Sequence, residues 1–308
     1  MADTTAVIEM LKRLVAFDTV SRNSNLALIE DVKSLLGQHG IESRLVFNDE
    51  KTKANLLATI GPNIEGGIVL SGHTDVVPID DQDWQTQPFS IVERDKKLYG
   101  RGTADMKSFL AIALAYLPEM RKAPLKKPIH LAFSYDEEVG CAGVPSLIAV
   151  LKKELPMPSA VIVGEPTDMK VVTAHKGIVG VRTTVTGHES HSSQTQLGVS
   201  AVMVAAELIQ FLQTMADEAK VKGPTNPLFE PEHTTITVNV IEGGTALNIM
   251  AHHCTFQWDI RALPGDDPQR YVDTFAAHCR DVVLPRIRKI APGCDIESLP
   301  RAGTPALN

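Results

Sequence analysis

Three short β-rich runs in the first half of the chain each break off into side chains that bind metals or move protons, and this feature narrows the possible folds most. Ile68 to Leu70 leads into Ser71-Gly-His73-Thr-Asp75, Ile129 to Tyr135 into Asp136-Glu137-Glu138, and Ala160 to Val163 into Gly164-Glu165. Helical spacing separates them. Val7, Leu11, Leu14 and Val15 share one helix face; Leu28, Ile29, Val32, Leu35 and Leu36 share another that ends at Gly37 and Gly40. Further strands are predicted at Arg44 to Phe47 and Asn55 to Ile60, and helices at Met106 to Met120 and Gly143 to Glu154. This alternation predicts a three-layer α/β domain with a mostly parallel sheet, its three ligand-bearing strands buried. In such a sheet the carboxyl ends of the strands line one crevice, so loops far apart in sequence should converge.

After Gly177 the pattern changes. Ile178 to Thr186 reads as a strand, Val199 to Thr214 as a helix, Thr234 to Ile241 and His253 to Arg261 as strands, Pro268 to Val283 as a helix, and Cys294 to Leu299 as a last short strand. The order βαββαβ is that of the ferredoxin-like unit. Met215 to Glu232, with three prolines, reads as a loop. The expected division is therefore a first domain over 1–177, a second over 178–299, and in 300–308 the start of a return to the first.

At 308 residues and 44% hydrophobic composition the chain can bury two cores. Lys+Arg 30 against Asp+Glu 37 leaves a charge of -7, which argues against nucleic acid or an anionic membrane as partner. No stretch approaches the roughly 20 apolar residues of a membrane span. Met1 to Arg13 reads as an amphipathic helix rather than a signal peptide, and the four scattered cysteines form no C-x-x-C pair. A cytoplasmic protein with reduced thiols is expected.

A fourth loop, Gly100 to Lys107, carries Asp105 just before the third predicted helix. The bland role for Asp105 is an N-cap. A dinucleotide fingerprint is excluded, because the sixth position of the motif that Gly100-Arg-Gly102 would open is this acid rather than glycine. One histidine and four carboxylates in one crevice repel one another and resist desolvation unless a cation neutralises them. Imidazole and carboxylate without thiolate suit zinc or cobalt with an open coordination position. Asp75, two residues after His73, can hold the imidazole in the tautomer that offers a free nitrogen.

Ser71-Gly-His-Thr-Asp-Val-Val-Pro78, Gly100-Arg-Gly-Thr-Ala-Asp-Met-Lys107, Tyr135-Asp-Glu-Glu-Val-Gly140 and Gly164-Glu-Pro-Thr167 resemble, in order, the four signatures of the M20 metallopeptidases. Ala174 to Gly177, Gly187 to Ser193, Glu242 to Ile249 and Arg261 to Asp267 resemble the members that act on N-acyl amino acids. The resemblance implies a homodimeric amide hydrolase with a small-molecule substrate and two Zn2+ per subunit, Co2+ being a possible substitute. It implies an inserted dimerisation domain in the ferredoxin-like unit. Asp105 would bridge the metals, with His73 and Glu165 completing the first site and Glu138 serving the second. Glu137 and Asp75 would be catalytic, Glu137 as general base. His191 would reach the partner's active site and stabilise the oxyanion, and Asn248 and Arg261 would grip the substrate carboxylate. Deacetylation, desuccinylation and dipeptide cleavage all stay open. Family members add a C-terminal metal-binding histidine that nothing beyond Arg301 supplies, so the expectation is a chain that stops early with its second site incomplete; a non-catalytic dimerising or metal-binding remnant is the alternative of another class.

Overall fold

The computed structural model describes residues 4–308, apart from the side chain of Ala302, and divides into two compact units, Met1–Val171 and Val172–Asn308. In the first unit the order is α1 (Thr4–Val15), α2 (Leu26–Gln38), β1 (Ser43–Phe47), β2 (Ala54–Ile60), β3 (Ile68–His73), β4 (Val92–Arg94), β5 (Lys97–Tyr99), α3 (Lys107–Ala115), α4 (Leu117–Lys122), β6 (Ile129–Ser134), α5 (Val144–Glu154) and β7 (Ala160–Val163). The expected helix from Met1 is met from Thr4 onward; Met1 to Asp3 lie outside the described residues.

The main sheet has the order β1-β2-β6-β3-β7. Strands β6, β3 and β7 are mutually parallel, β2 runs against β6, and β1 runs against β2, so four of the five share one direction. Side-chain alternation sorts the apolar residues onto two faces. Leu56, Ala58, Ile60, Leu131 and Phe133 pack with α1, α2 and α3, whereas Leu57, Val69 and Ala132 pack with Leu147 of α5. The result is the three-layer α/β architecture that the alternation implies. One expected feature differs: β7 is exposed on all four residues rather than buried, because it pairs on one side only, with β3. The predicted single helix over Met106 to Met120 is also broken at Tyr116, since Pro118 lacks the N–H that an uninterrupted helix would use. Among the described residues no helix is long and apolar enough to cross a membrane.

The second unit comprises β8 (Gly177–Thr186), α6 (Ala201–Lys222), β9 (Thr235–Gly243), β10 (His253–Ala262), α7 (Gln269–His278), a π-helical turn at Cys279–Val283, α8 (Leu284–Arg288) and β11 (Asp295–Thr304). Its antiparallel sheet has the order β11-β8-β10-β9. This is the βαββαβ unit with its fourth strand beside its first. Strict alternation on β10 buries Cys254, Phe256, Trp258, Ile260 and Ala262, and the rings of Trp258 and Phe275 meet at 5.0 Å.

Three boundaries depart from expectation. Helix α6 continues through Met215 to Lys222 instead of giving way to a loop, because Met215 and Ala219 extend the buried face and Glu218 pairs with Lys222 one turn on. The prolines act only beyond Gly223. Strand β11 runs to Thr304, so 300–304 extend the second unit's sheet rather than turning back to the first domain. Pro300 is tolerated there because β11 is an edge strand, and its pairing with β8 slips between Pro300 and Gly303. The units part after Val171 rather than Gly177, and His175 pairs with Leu307 inside the second unit.

Candidate metal centre

His73 stands at the last residue of β3, Glu137 and Glu138 follow β6, and Glu165 follows β7, three neighbouring parallel strands whose ends lie about 4.8 Å apart. Asp105 comes to the same place from the loop ahead of α3. That loop approaches β3 closely because residue 72 is glycine: a Cβ there would stand 2.6 Å from Met106 Cε and 2.7 Å from Leu110 Cδ1. Gly164 does the same for Glu165, since a Cβ at 164 would lie 2.0 Å from the Phe109 ring. The glycines beside the ligand-type residues are thus packing requirements.

His73 is buried, and its Nε2 lies 3.1 Å from Asp105 Oδ1, 3.8 Å from Glu137 Oε2 and 3.8 Å from Glu165 Oε1. One donor atom each from His73, Asp105 and Glu138 fall within 4.8 Å of one another, and His73, Glu137 and Glu165 form a second such group. Asp105 does not act as an N-cap: the cap position of α3 is Met106, with no side-chain cap hydrogen bond. The structure therefore brings together five residues drawn from nearly a hundred positions of sequence.

Their charges are poorly compensated. Burial, then Asp105, Glu137 and Glu138, push the Glu165 carboxyl up to about 7 against the pull of His73. Burial and Asp105 also raise Glu138. For His73, burial works against the charged ring, but hydrogen bonding to Asp75 and the surrounding carboxylates outweigh it and raise its pKa to about 9. Buried carboxyls raised by one another around an imidazole raised by them form a cluster whose charge a bound cation would neutralise. The donor set of one imidazole and four carboxylates fits a divalent metal.

Asp75 is the organiser behind the cluster. His73 Nδ1 lies 2.9 Å from the main-chain carbonyl of Asp75 and so donates to it; the Asp75 carboxylate is 3.5 Å from the same nitrogen. The tautomer control expected of the side chain is thus exerted first by the main chain. The carboxylate accepts from the Ser21 hydroxyl at 2.7 Å and from the main-chain N–H groups of Glu137 at 3.1 Å and Glu138 at 3.2 Å. Burial opposes its ionisation, yet these bonds and His73 lower its pKa overall.

Two supports were not foreseen from sequence. The loop between α1 and α2 packs its small polar residues against the β3 loop: Thr19 donates to the Thr74 carbonyl at 2.6 Å, and Asn25 to Thr74 Oγ1 at 2.9 Å. Lys107, fully buried, donates to the carbonyls of Leu14 at 3.1 Å and Phe17 at 2.9 Å, and burial pushes its ammonium down to about 7. Its role is to tie α3 to the end of α1. A lysine beside an acidic loop gives no local sign of that.

The other expected site residues lie in the second unit. The His191 segment runs alongside that of Asn248: Ser192 N donates to the Asn248 carbonyl at 3.0 Å, Met250 N to the Ser190 carbonyl at 2.9 Å, and His191 pairs with Ile249. His191 is exposed, its Nδ1 2.8 Å from Ser193 Oγ. Arg261 does not join them. It sits at the opposite end of β10, about 26 Å along the strand from His253, with Nε donating to Asp259 at 2.8 Å.

A mixed α/β sheet with an imidazole and three carboxylates at its strand ends, and a fourth carboxylate brought to them by the loop ahead of α3, is the framework of a metal-dependent hydrolase. Residues 69–302 match the profile of Peptidase family M20/M25/M40, and the chain belongs to that family, whose members hydrolyse amide bonds. It is 36% identical over 265 residues to the acetylornithine deacetylase of Pasteurella multocida (strain Pm70), an alignment covering 84% of this chain and 68% of that one. The fold resembles a tripeptidase of Staphylococcus aureus subsp. aureus Mu50 with a TM-score of 0.71 at 21% identity, over 99% of this chain and 78% of the other. It also resembles a Bacillus subtilis protein described as a dinuclear metal-binding peptidase of the M20 family, with a TM-score of 0.58 at 16% identity, over 98% and 74% of the two chains.

Proposed function

We propose that this chain hydrolyses N2-acetyl-L-ornithine to L-ornithine and acetate, a step of arginine biosynthesis in the cytoplasm. The observation that carries the assignment is the 36% identity to an acetylornithine deacetylase, which spans both units. In this reading His73, Asp105 and Glu165 hold one Zn2+, and Asp105 with Glu138 contributes to a second. The metal, when bound, polarises the amide carbonyl and lowers the pKa of water near it. Glu137, beside the cluster and half-exposed, takes the proton of the attacking water and returns it to the departing amine, so that the C–N bond breaks with neutral ornithine nitrogen leaving. Asp75 keeps Glu137 and Glu138 in place through their main-chain N–H groups.

The second unit, Val172–Asn308, the proposed dimerisation domain, supplies substrate contacts. His191 and Asn248 share one end of its sheet and Arg261 holds the other, and about 26 Å is too far for one amino-acid substrate to bridge. That separation supports a homodimer in which the His191 end serves the partner's centre, where a donor to the developing oxyanion contributes about 3 kcal/mol. Arg261 offers a fork for the substrate carboxylate. The test compares turnover of N2-acetyl-L-ornithine, N-succinyl-diaminopimelate and a dipeptide at equal Zn2+-loaded enzyme. Preferred hydrolysis of the first is expected; preference for either other substrate overturns the assignment.

A further inference from the structure

A ring of hydrogen bonds closes behind the cluster, and its keystone is a residue outside every motif. Lys53, one residue before β2, donates from Nζ to Asp136 Oδ1 at 2.5 Å and to the main-chain carbonyl of Ser21. Both partners of the ion pair are largely buried, with 14% and 17% of their side chains exposed. The Ser21 hydroxyl continues the ring to Asp75 at 2.7 Å, and Asp75 accepts from the N–H groups of Glu137 and Glu138. Asp136 immediately precedes Glu137, which returns the ring to Lys53. Asp136 has a φ of +55°, a left-handed conformation that a non-glycine residue keeps only where its surroundings fix it.

The ring therefore grips the turn Asp136-Glu137-Glu138 from two sides, by the Asp136 carboxylate and by two consecutive main-chain N–H groups. The alternative, that Lys53 merely neutralises a stray acid, leaves its second bond to Ser21 unexplained. Ser21 belongs to the segment that already pairs with the β3 loop, Ser21 N donating to the Val76 carbonyl at 3.1 Å. A single ammonium thus joins the turn after β6 to the segment that braces the loop after β3. We infer that Lys53 is a positioning residue, which sets Glu137 and Glu138 against His73 by fixing Asp136 to the Ser21 carbonyl. The inference rests on the proposed metal centre, though not on the choice of substrate.

Zn2+- and Co2+-dependent measurements on the full chain decide it. In Lys53→Met and in Asp136→Asn the dissociation constant for Co2+, followed by its visible absorption, rises about tenfold or more, as removing supports of a ligand shell does elsewhere. The kcat for N2-acetyl-L-ornithine at saturating Zn2+ falls about tenfold while KM stays within twofold. Because the two residues act through one bond, the double variant is no worse than the poorer single one. Additive losses, or folded single variants with unchanged Co2+ affinity and kcat, overturn the inference. If Lys53→Met does not fold, Asp136→Asn decides: wild-type Co2+ affinity in that variant overturns it. A wild type that binds Co2+ but leaves acetylornithine untouched sinks the substrate assignment alone, and a lowered Co2+ affinity in the variants still upholds the positioning; a wild type that binds no Co2+ overturns both.

Discussion

Replacing Asp75 by asparagine should destabilise the first unit even when no metal is present, and the contacts around Asp75 give the size of the effect. The carboxylate accepts three hydrogen bonds, from the Ser21 hydroxyl and from the N–H groups of Glu137 and Glu138. An amide keeps one oxygen for one of the two main-chain donors. The Ser21 hydroxyl can turn and accept instead, but the remaining N–H then faces an NH2 group. One charge-assisted bond is lost and one buried donor is stranded, each costing about 1.5–3 kcal/mol. The variant regains some desolvation, because burial disfavours the charged carboxylate; yet the pKa of Asp75 is lowered overall, so bonding outweighs burial. The net cost is about 3 kcal/mol, or a fall in Tm of about 6–12 °C for a unit of this size. Scanning calorimetry in the presence of a chelator measures it without interference from metal binding. The depressed pKa fixes the sign of the pH dependence: the contribution is full above the unfolded value near 4 and is lost as pH falls through the folded value, so the two melting curves should converge under acid conditions. A metal-free variant that melts within about 2 °C of wild type at pH 7 refutes the hydrogen-bond argument, whatever its metal affinity.

Glu137→Gln and His191→Ala should each lower kcat by about a hundredfold or more, and mixing the two inactive proteins under subunit exchange should restore activity by pairing an intact Glu137 with a partner's intact His191. No recovery in a mixture shown to contain the mixed dimer excludes the shared site. Gly164→Ala drives a methyl group into the Phe109 ring, 2.0 Å away, and should cost about 1–3 kcal/mol in urea unfolding while weakening Zn2+ binding through Glu165; a neutral substitution would mean that β7 does not sit against α3 as described. Burial pushes the Cys279 thiol up to about 12, so it stays protonated where an unfolded thiol near 9 ionises. Its contribution to stability is present below about pH 9 and fades as pH rises towards 12, and at pH 9 iodoacetamide should modify it no faster than the second unit unfolds; rapid alkylation of native protein contradicts that.

The strand ends were legible because two independent patterns coincide there. Each β-rich run stops at a polar residue, and parallel order makes all three stops fall on one side of the sheet. The ferredoxin-like unit was legible for a similar reason, since β10 alternates almost without exception. The supports of the site depend instead on pairing between distant segments. Ser21, Asn25 and Lys53 are ordinary loop residues in sequence, and only the closing of the α1–α2 loop against β2 and β3 turns them into supports. Sequence alone ends α6 early because three prolines downstream outweigh the favourable run Met215 to Lys222, although none of them lies within it. The extension of β11 past Pro300 depends on which of its edges β8 occupies, a fact of topology rather than of local preference.

The cluster and its supports also differ in how they tolerate change. Asp105, Glu138 and Glu165 gather negative charge around His73 that costs stability until a cation arrives, as the raised Glu165 carboxyl records. Metal binding then returns that cost as affinity, so the metal-free protein should be the less stable form by RT ln(1 + [metal]/Kd). The supports behave oppositely: Lys53, Ser21 and Asp75 stabilise the fold with or without metal, because the hydrogen bonds that hold them, to main-chain groups, to Asp136 and to one another, need no cation. A substitution among the carboxylate ligands should therefore raise the melting temperature of the metal-free protein, or leave it unchanged, while abolishing the metal-induced increase. A substitution among the supports should lower the melting temperature in both forms. Measuring each variant with and without Zn2+ separates residues that hold the metal from residues that hold the ligands.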